Sequence, residues 1–162
     1  MNNSFDEKKL KKRFYEIRIE EILEECKGEF NIVEKNDSID TVLSVLKDIQ
    51  HVWVVDSEEN MQLLGVINRV DLLHLLAPPK SLYHIFSLPE SYHHGTIGEA
   101  EDIMDSHFIT CDCGDKIVNV LKKMIRHATE KLAILDNTGK IQGEINLKSL
   151  IQHYHKAKQD AS

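Results

Sequence analysis

Positive charge is in short supply in this chain. Its 162 residues hold 20 Lys and Arg against 27 Asp and Glu, a formal net charge of −7 with a sequence pI near 5.7. A general nucleic-acid binder needs a basic face to neutralise phosphates, so that class is excluded and only a local basic patch remains open. Long apolar runs are missing as well. No stretch reaches the roughly 18 to 20 residues of a membrane span, and residues 1–13 are too polar for a signal peptide, so a cytoplasmic protein that engages no membrane is expected. Cysteine is scarce: Cys26, Cys111 and Cys113 are an odd number and include a CxC pair too close for ordinary bridging. That excludes a disulfide framework and fits a reducing compartment. Also missing are a glycine-rich phosphate loop, a GxSxG elbow and an HExxH helix, and the many acids fall in helical surface patterns, so no enzyme is expected.

What is present is enough to build a core. The 41% hydrophobic and 29% charged composition is that of a folded globular protein, either one domain or two small units sharing a core. An internal repeat favours the second description. From Asp37 onward, Ile39, Val42, Leu43, Leu46 and Ile49 mark one face of an amphipathic helix. HVWVVD (51–56) and LLGVIN (63–68) read as two strands of a hairpin, and RVDLLHLL (69–76) as a short helix stopped by the prolines that follow. The order recurs. Ile117, Val120, Leu121, Met124 and Ile125 mark a second helix, LAILD (132–136) and IQGEIN (141–146) two strands, and 147–154 a closing helix. Ile39 and Ile117, Leu43 and Leu121, Gly65 and Gly143, and Asn68 and Asn146 are all 78 positions apart. FNIV (30–33) and FITC (108–111) precede the two helices as extended runs, giving strand, helix, strand, strand, helix twice.

The predicted fold class is α/β (α+β). A three-stranded sheet covers one face with its own helices and keeps a second apolar face to bury, so the two repeats are expected to pack about a pseudo-twofold axis, leaving a cleft where strand ends meet. The predicted division is an amphipathic helical segment with a frayed start at 1–29, repeat 1 at 30–77, a linker at 78–107, repeat 2 at 108–155 and a tail at 156–162. Within the linker Leu82, Ile85, Phe86 and Leu88 are expected to dock on the surface, and 97–104 to form a short helix. Five of the six residues from 8 to 13 are basic, a pattern read as a solvated face, with contact to an acidic partner as the alternative.

HVWVVDSEENMQLLGVINRVDLL resembles the signature half of a cystathionine β-synthase (CBS) domain, in which an aliphatic strand ends in Asp and a Gly-apolar-apolar-Thr/Ser-x-x-Asp segment opens a helix. LAILDNTGKIQGEINLKSLI is similar to the same half of a second copy, and RIEEIL and AEDIM resemble the helical lead-ins of tandem pairs. The resemblance covers residues 17–154. It implies a tandem pair, or Bateman module, that regulates rather than catalyses: it binds an adenosine-containing ligand such as AMP, ADP, ATP or S-adenosylmethionine in its cleft, dimerises with a second copy, and biases a regulated protein. No cofactor is expected to be required. The alternative is a ligand-free scaffold for dimerisation or partner docking.

The resemblance also assigns positions. The family's acid, which accepts from the ribose hydroxyls, matches Asp71, and the residue beside the phosphate matches Asn68. Arg69 adds charge, His51 stands where some members place a basic phosphate contact, and Lys131 is its counterpart. In the second copy Asn146 replaces the hydroxyl residue and Ser149 the acid, so an acidic ribose contact should come from the first copy. Free N–H groups at a helix start favour an anion. Yet Asn68 with Asp71 three residues on is also an N-cap with an acidic third position, and both readings stay open. Trp53 replaces the family's usual proline and is expected to pack in the core. No metal site is expected: His93–His94 and His153/His155 lack helical HxxxH spacing, and Cys111 and Cys113, though able to face one side of a strand, have no second ligand pair.

Overall fold

The structure, a computed structural model, describes residues 3–28, 30–77 and 97–160, with side chains from residue 7 onward. Leu82, Ile85, Phe86, Leu88, His93 and His94 lie outside the described residues. Among the described residues, six α-helices and six strands follow in the order α1 (Asn3–Glu16), α2 (Ile19–Cys26), β1 (Ile32–Glu34), α3 (Ile39–Leu46), β2 (His51–Val55), β3 (Leu63–Asn68), α4 (Leu72–Leu76), β4 (Thr110–Asp112), α5 (Ile117–His127), β5 (Lys131–Leu135), β6 (Ile141–Asn146) and α6 (Leu147–Asp160). Single 3-10 turns occupy Arg69–Asp71 and Ala100–Asp102. The strands make two three-stranded sheets of matching topology, β1-β2-β3 and β4-β5-β6, each with a parallel first pair and an antiparallel second pair. Both carry an irregularity at the same place, Val54/Val55 and Ile134/Leu135.

The chain divides into two compact units, Asn31–His107, and Met1–Phe30 together with Phe108–Ser162. The lead-ins are therefore exchanged. RIEEIL, which precedes the first repeat, packs with the second: Ile19, Ile22 and Cys26 share a core with Ile117, Val120, Met124, Leu132, Ile134 and Ile145. AEDIM, which precedes the second repeat, packs with the first: Ala100, Ile103 and Met104 join Val42, Leu46, Val52, Val54 and Ile67. Short bridges fix each lead-in, Arg18 to Lys116 in one unit and Ser38 to Glu99 and Val66 to Asp105 in the other.

Several local expectations are corrected. The N-terminal segment is two helices, because Arg18 is extended and caps α2, its own N–H donating to Glu21 Oε1 at 2.8 Å. The short helix expected over 97–104 is only one 3-10 turn, since bridges at Glu99 and Asp105 pull its flanks into extended geometry. Ile49 lies beyond the end of α3. Ile125 is 82% exposed rather than in the core. It falls at the edge of the apolar stripe, two residues before the last residue of α5, after which Ala128 turns left-handed at φ 48°. The closing helix α6 runs on to Asp160, past the predicted end at 154. No helix among the described residues is long and apolar enough to cross a membrane.

Candidate functional site

The first strand-to-helix junction forms because the apolar run of β3 stops at Asn68, whose extended backbone (φ −92°, ψ 151°) turns the chain into a helix. The turn is anchored by Arg69 N–H donating to Gln50 O at 2.8 Å. Asp71 closes it: its Oδ2 accepts from the Asn68 N–H at 2.7 Å and from the Asn68 side-chain amide at 3.2 Å. Oδ1 of Asp71 accepts no hydrogen bond among the described residues. His51, the register partner of Asn68 across β2–β3, lies edge-on to Trp53 with ring centroids 5.7 Å apart. Trp53 is 1% exposed.

Arg69 belongs to the same turn in sequence, but its guanidinium reaches α3. Nε donates to the carbonyls of Leu46 (2.9 Å) and Ile49 (3.1 Å), and Nη2 to that of Lys47 (3.4 Å). The cation thus occupies the carbonyl end of a helix, where its charge is favourable.

The second junction repeats the backbone and changes the chemistry. Lys131 pairs with Asn146 across β5–β6, and Leu147 N–H donates to Glu130 O at 2.8 Å. Asn146 Oδ1 accepts from the Ser149 N–H at 2.9 Å, while Ser149 Oγ donates to Asn146 O at 2.7 Å. Hydroxyl and amide here close the helix start without an acid. Glu144, which the sequence reading did not single out, is 4% exposed and the one buried charged side chain among the described residues. Its Oε1 accepts from Asn146 Nδ2 at 3.1 Å. The signal was available in the repeat alignment, where Glu144 stands 78 positions after Val66.

His51, Asn68 and Asp71 are thus brought together in one unit, and Lys131, Asn146, Ser149 and Glu144 in the other. The first set offers a carboxylate oxygen beside helix-start amides, a combination suited to a group with both hydroxyls and negative charge. His153 and the two cysteines of the CxC pair are otherwise engaged. His153 Nε2 lies 3.0 Å from Glu25 Oε2 of α2. Cys111 and Cys113 do face the same way, into the apolar core of their unit, and burial pushes the Cys111 thiol up to about 12. A thiol held protonated among Ile and Leu side chains is a poor metal ligand. Among the described residues no group of three or more His, Cys, Asp and Glu side chains is placed to hold a metal ion.

With this geometry in place, comparison with known proteins gives the class. The model of the CBS domain matches residues 19–78 and again 100–156. The chain belongs to the CBS-domain family and carries a tandem pair of the repeats. Solved structures with the same fold include CBSX2 in complex with AMP, at 17% identity and a TM-score of 0.68, covering 87% of this chain and 98% of that one. The CBS domain pair of protein MJ0100, in complex with 5′-methylthioadenosine and S-adenosyl-L-methionine, matches at 20% identity and 0.61, covering 88% and 98%. The cytosolic domain of the Mg2+ channel MgtE in complex with ATP matches at 19% and 0.56, covering 77% and 45%. No curated protein sequence matches the chain.

Proposed function

We propose that this CBS pair is a cytoplasmic, non-catalytic regulatory module that binds an adenosine-containing ligand of the AMP, ADP, ATP or S-adenosylmethionine class and modulates a partner protein. The observation that carries the reading is the asymmetry of the two junctions: Asp71 keeps a carboxylate at the first helix start, whereas Ser149 stands at the second. Asp71 Oδ1 takes the ribose hydroxyls while Oδ2 continues to hold Asn68. The Asn68 amide and the helix-start N–H groups take a phosphate or carboxylate, with His51, the register partner of Asn68, beside them. That relatives of the same fold hold AMP, ATP and S-adenosylmethionine supports the ligand class.

A thermal-shift panel of AMP, ADP, ATP and S-adenosylmethionine tests it. Ligand at 100 times its Kd stabilises by about 2.7 kcal/mol, roughly 5–10 °C for a chain of this size. Asp71→Ala is expected to abolish the shift and leave a folded protein. Full affinity in that variant would reduce Asp71 to a cap.

One observation favours the scaffold reading as the alternative. Leu73 and Ile151 occupy equivalent positions of the two repeats and are 60% and 59% exposed. Matching apolar positions of this kind suit a homodimer contact. A panel without any shift, together with a dimer in sedimentation that Leu73→Asp breaks, would establish it.

A further inference from the structure

The net charge of −7 conceals a division. The unit Asn31–His107 carries 4 Lys and Arg against 13 Asp and Glu, and the other unit carries 16 against 14. Much of that basic charge lies on α1, where Lys8, Lys9, Lys11, Lys12 and Arg13 are all exposed, and on the last turns of α6, where Lys156 and Lys158 are exposed too. Lys11 pairs with Glu7 at 3.3 Å. Lys8, Lys9, Lys12 and Arg13 make no ion pair among the described residues.

Between these two basic segments runs a groove of about 320 Å³, lined by Leu10, Arg13, Phe14 and Ile17 on one side and Ala157 and Asp160 on the other. Phe14 and Tyr154 meet edge-on, with ring centroids 5.2 Å apart, one turn before Ala157. The small side chain of Ala157 leaves the floor unfilled beyond them. The result is an apolar floor whose lining carries one base, Arg13, and one acid, Asp160, with further exposed lysines flanking it on both helices.

From this arrangement we infer that the α1/α6 groove docks an acidic amphipathic peptide segment of the regulated partner, apolar side chains on the floor and carboxylates against Arg13 and Lys9 one turn before it. Apolar anchors one helical turn apart are what such grooves accept, and the rim selects the charge of their flanks. A concave floor favours a peptide over a flat lipid surface, and the rim repels a basic segment. The inference extends the regulatory reading by placing the partner; it uses none of the junction residues.

The test uses the full chain and a capped peptide of about 12 residues with two leucines one turn apart flanked by glutamates, followed by calorimetry. Binding is expected, weakened about five-fold or more when salt rises from about 50 to 300 mM. Arg13→Glu and Ala157→Leu are each expected to weaken it about five-fold or more. Arg13 is exposed, so its variant keeps the test valid if Ala157→Leu fails to fold. The same peptide with lysines for glutamates is expected not to bind. Failure of the acidic peptide to bind, equal affinity in both variants, tighter binding of anionic vesicles or of a polyanion such as heparin, or loss of self-association in Arg13→Glu would each overturn the inference. Thermal shifts by AMP or S-adenosylmethionine are expected to persist in Arg13→Glu, so failure of the groove and failure of nucleotide binding remain separate results.

Discussion

Gly143 of β6 lies directly against the backbone of Cys26: a Cβ at position 143 would stand 3.0 Å from the Cys26 carbonyl oxygen and 3.2 Å from its carbonyl carbon. Gly65 of β3 does the same work in the other unit, where a Cβ would fall 2.7 Å from Met104 Sδ and 3.0 Å from Asp105 O. The repeated glycine is what lets each exchanged lead-in lie on its sheet. Gly143→Ala is therefore expected to cost about 1–3 kcal/mol of stability, because the obstacle is main chain and cannot rotate away. Urea unfolding measures it, and an unchanged midpoint would show that α2 is not seated as described.

That close approach also marks the limit of what the sequence could tell. The repeat was legible because Ile39, Gly65 and Asn68 recur at Ile117, Gly143 and Asn146, and local periodicity then gave both sheets. Which sheet each lead-in covers was not legible, since it depends on contacts such as Cys26 with Gly143 that no local pattern encodes. In the junctions, Asn68 and Asp71 were found through their match to the CBS motif, and their spacing alone gave only the helix cap. The reach of Arg69 to α3 is a tertiary hydrogen-bond geometry, and adjacency to Asn68 suggested a different direction. Glu144 was overlooked because a charged residue in an apolar strand reads as an exposed position until burial is known.

Arg69 gives a clean separation of structure from binding. Its three bonds to the carbonyls of Leu46, Lys47 and Ile49 tie the turn to the end of α3. Arg69→Ala is expected to lower stability by about 1–2 kcal/mol, with Lys a poor replacement because two of those bonds come from Nε of the planar fork. Chemical unfolding checks this. Intact stability with lost nucleotide affinity would assign Arg69 to the ligand instead.

Acid should weaken the second repeat through Asp115. Burial raises its carboxyl, but the Lys123 ammonium at 2.8 Å and the Asp112 N–H at 3.2 Å outweigh that and hold it below its ordinary value. A carboxyl depressed in the folded state contributes stability that is fully present above the unfolded value, about 3.9, and is lost as pH falls through the lower folded value. Asp102, held low by the N–H groups of Gly98 and Glu99, acts in the same sense in the other unit. Unfolding free energy measured from pH 6 down to about 2 is expected to fall below about pH 4, and to fall less steeply in Asp115→Asn. An equal slope in the variant would remove Asp115 from the account.

The most direct measurement of the central claim is an amide NMR titration of the full chain with AMP and, separately, S-adenosyl-L-methionine. The account predicts saturable shifts that include the amides of Asn68, Arg69, Val70 and Asp71 and that disappear in Asp71→Ala. Saturable binding that leaves those four amides unmoved, or no binding of either ligand, would contradict it.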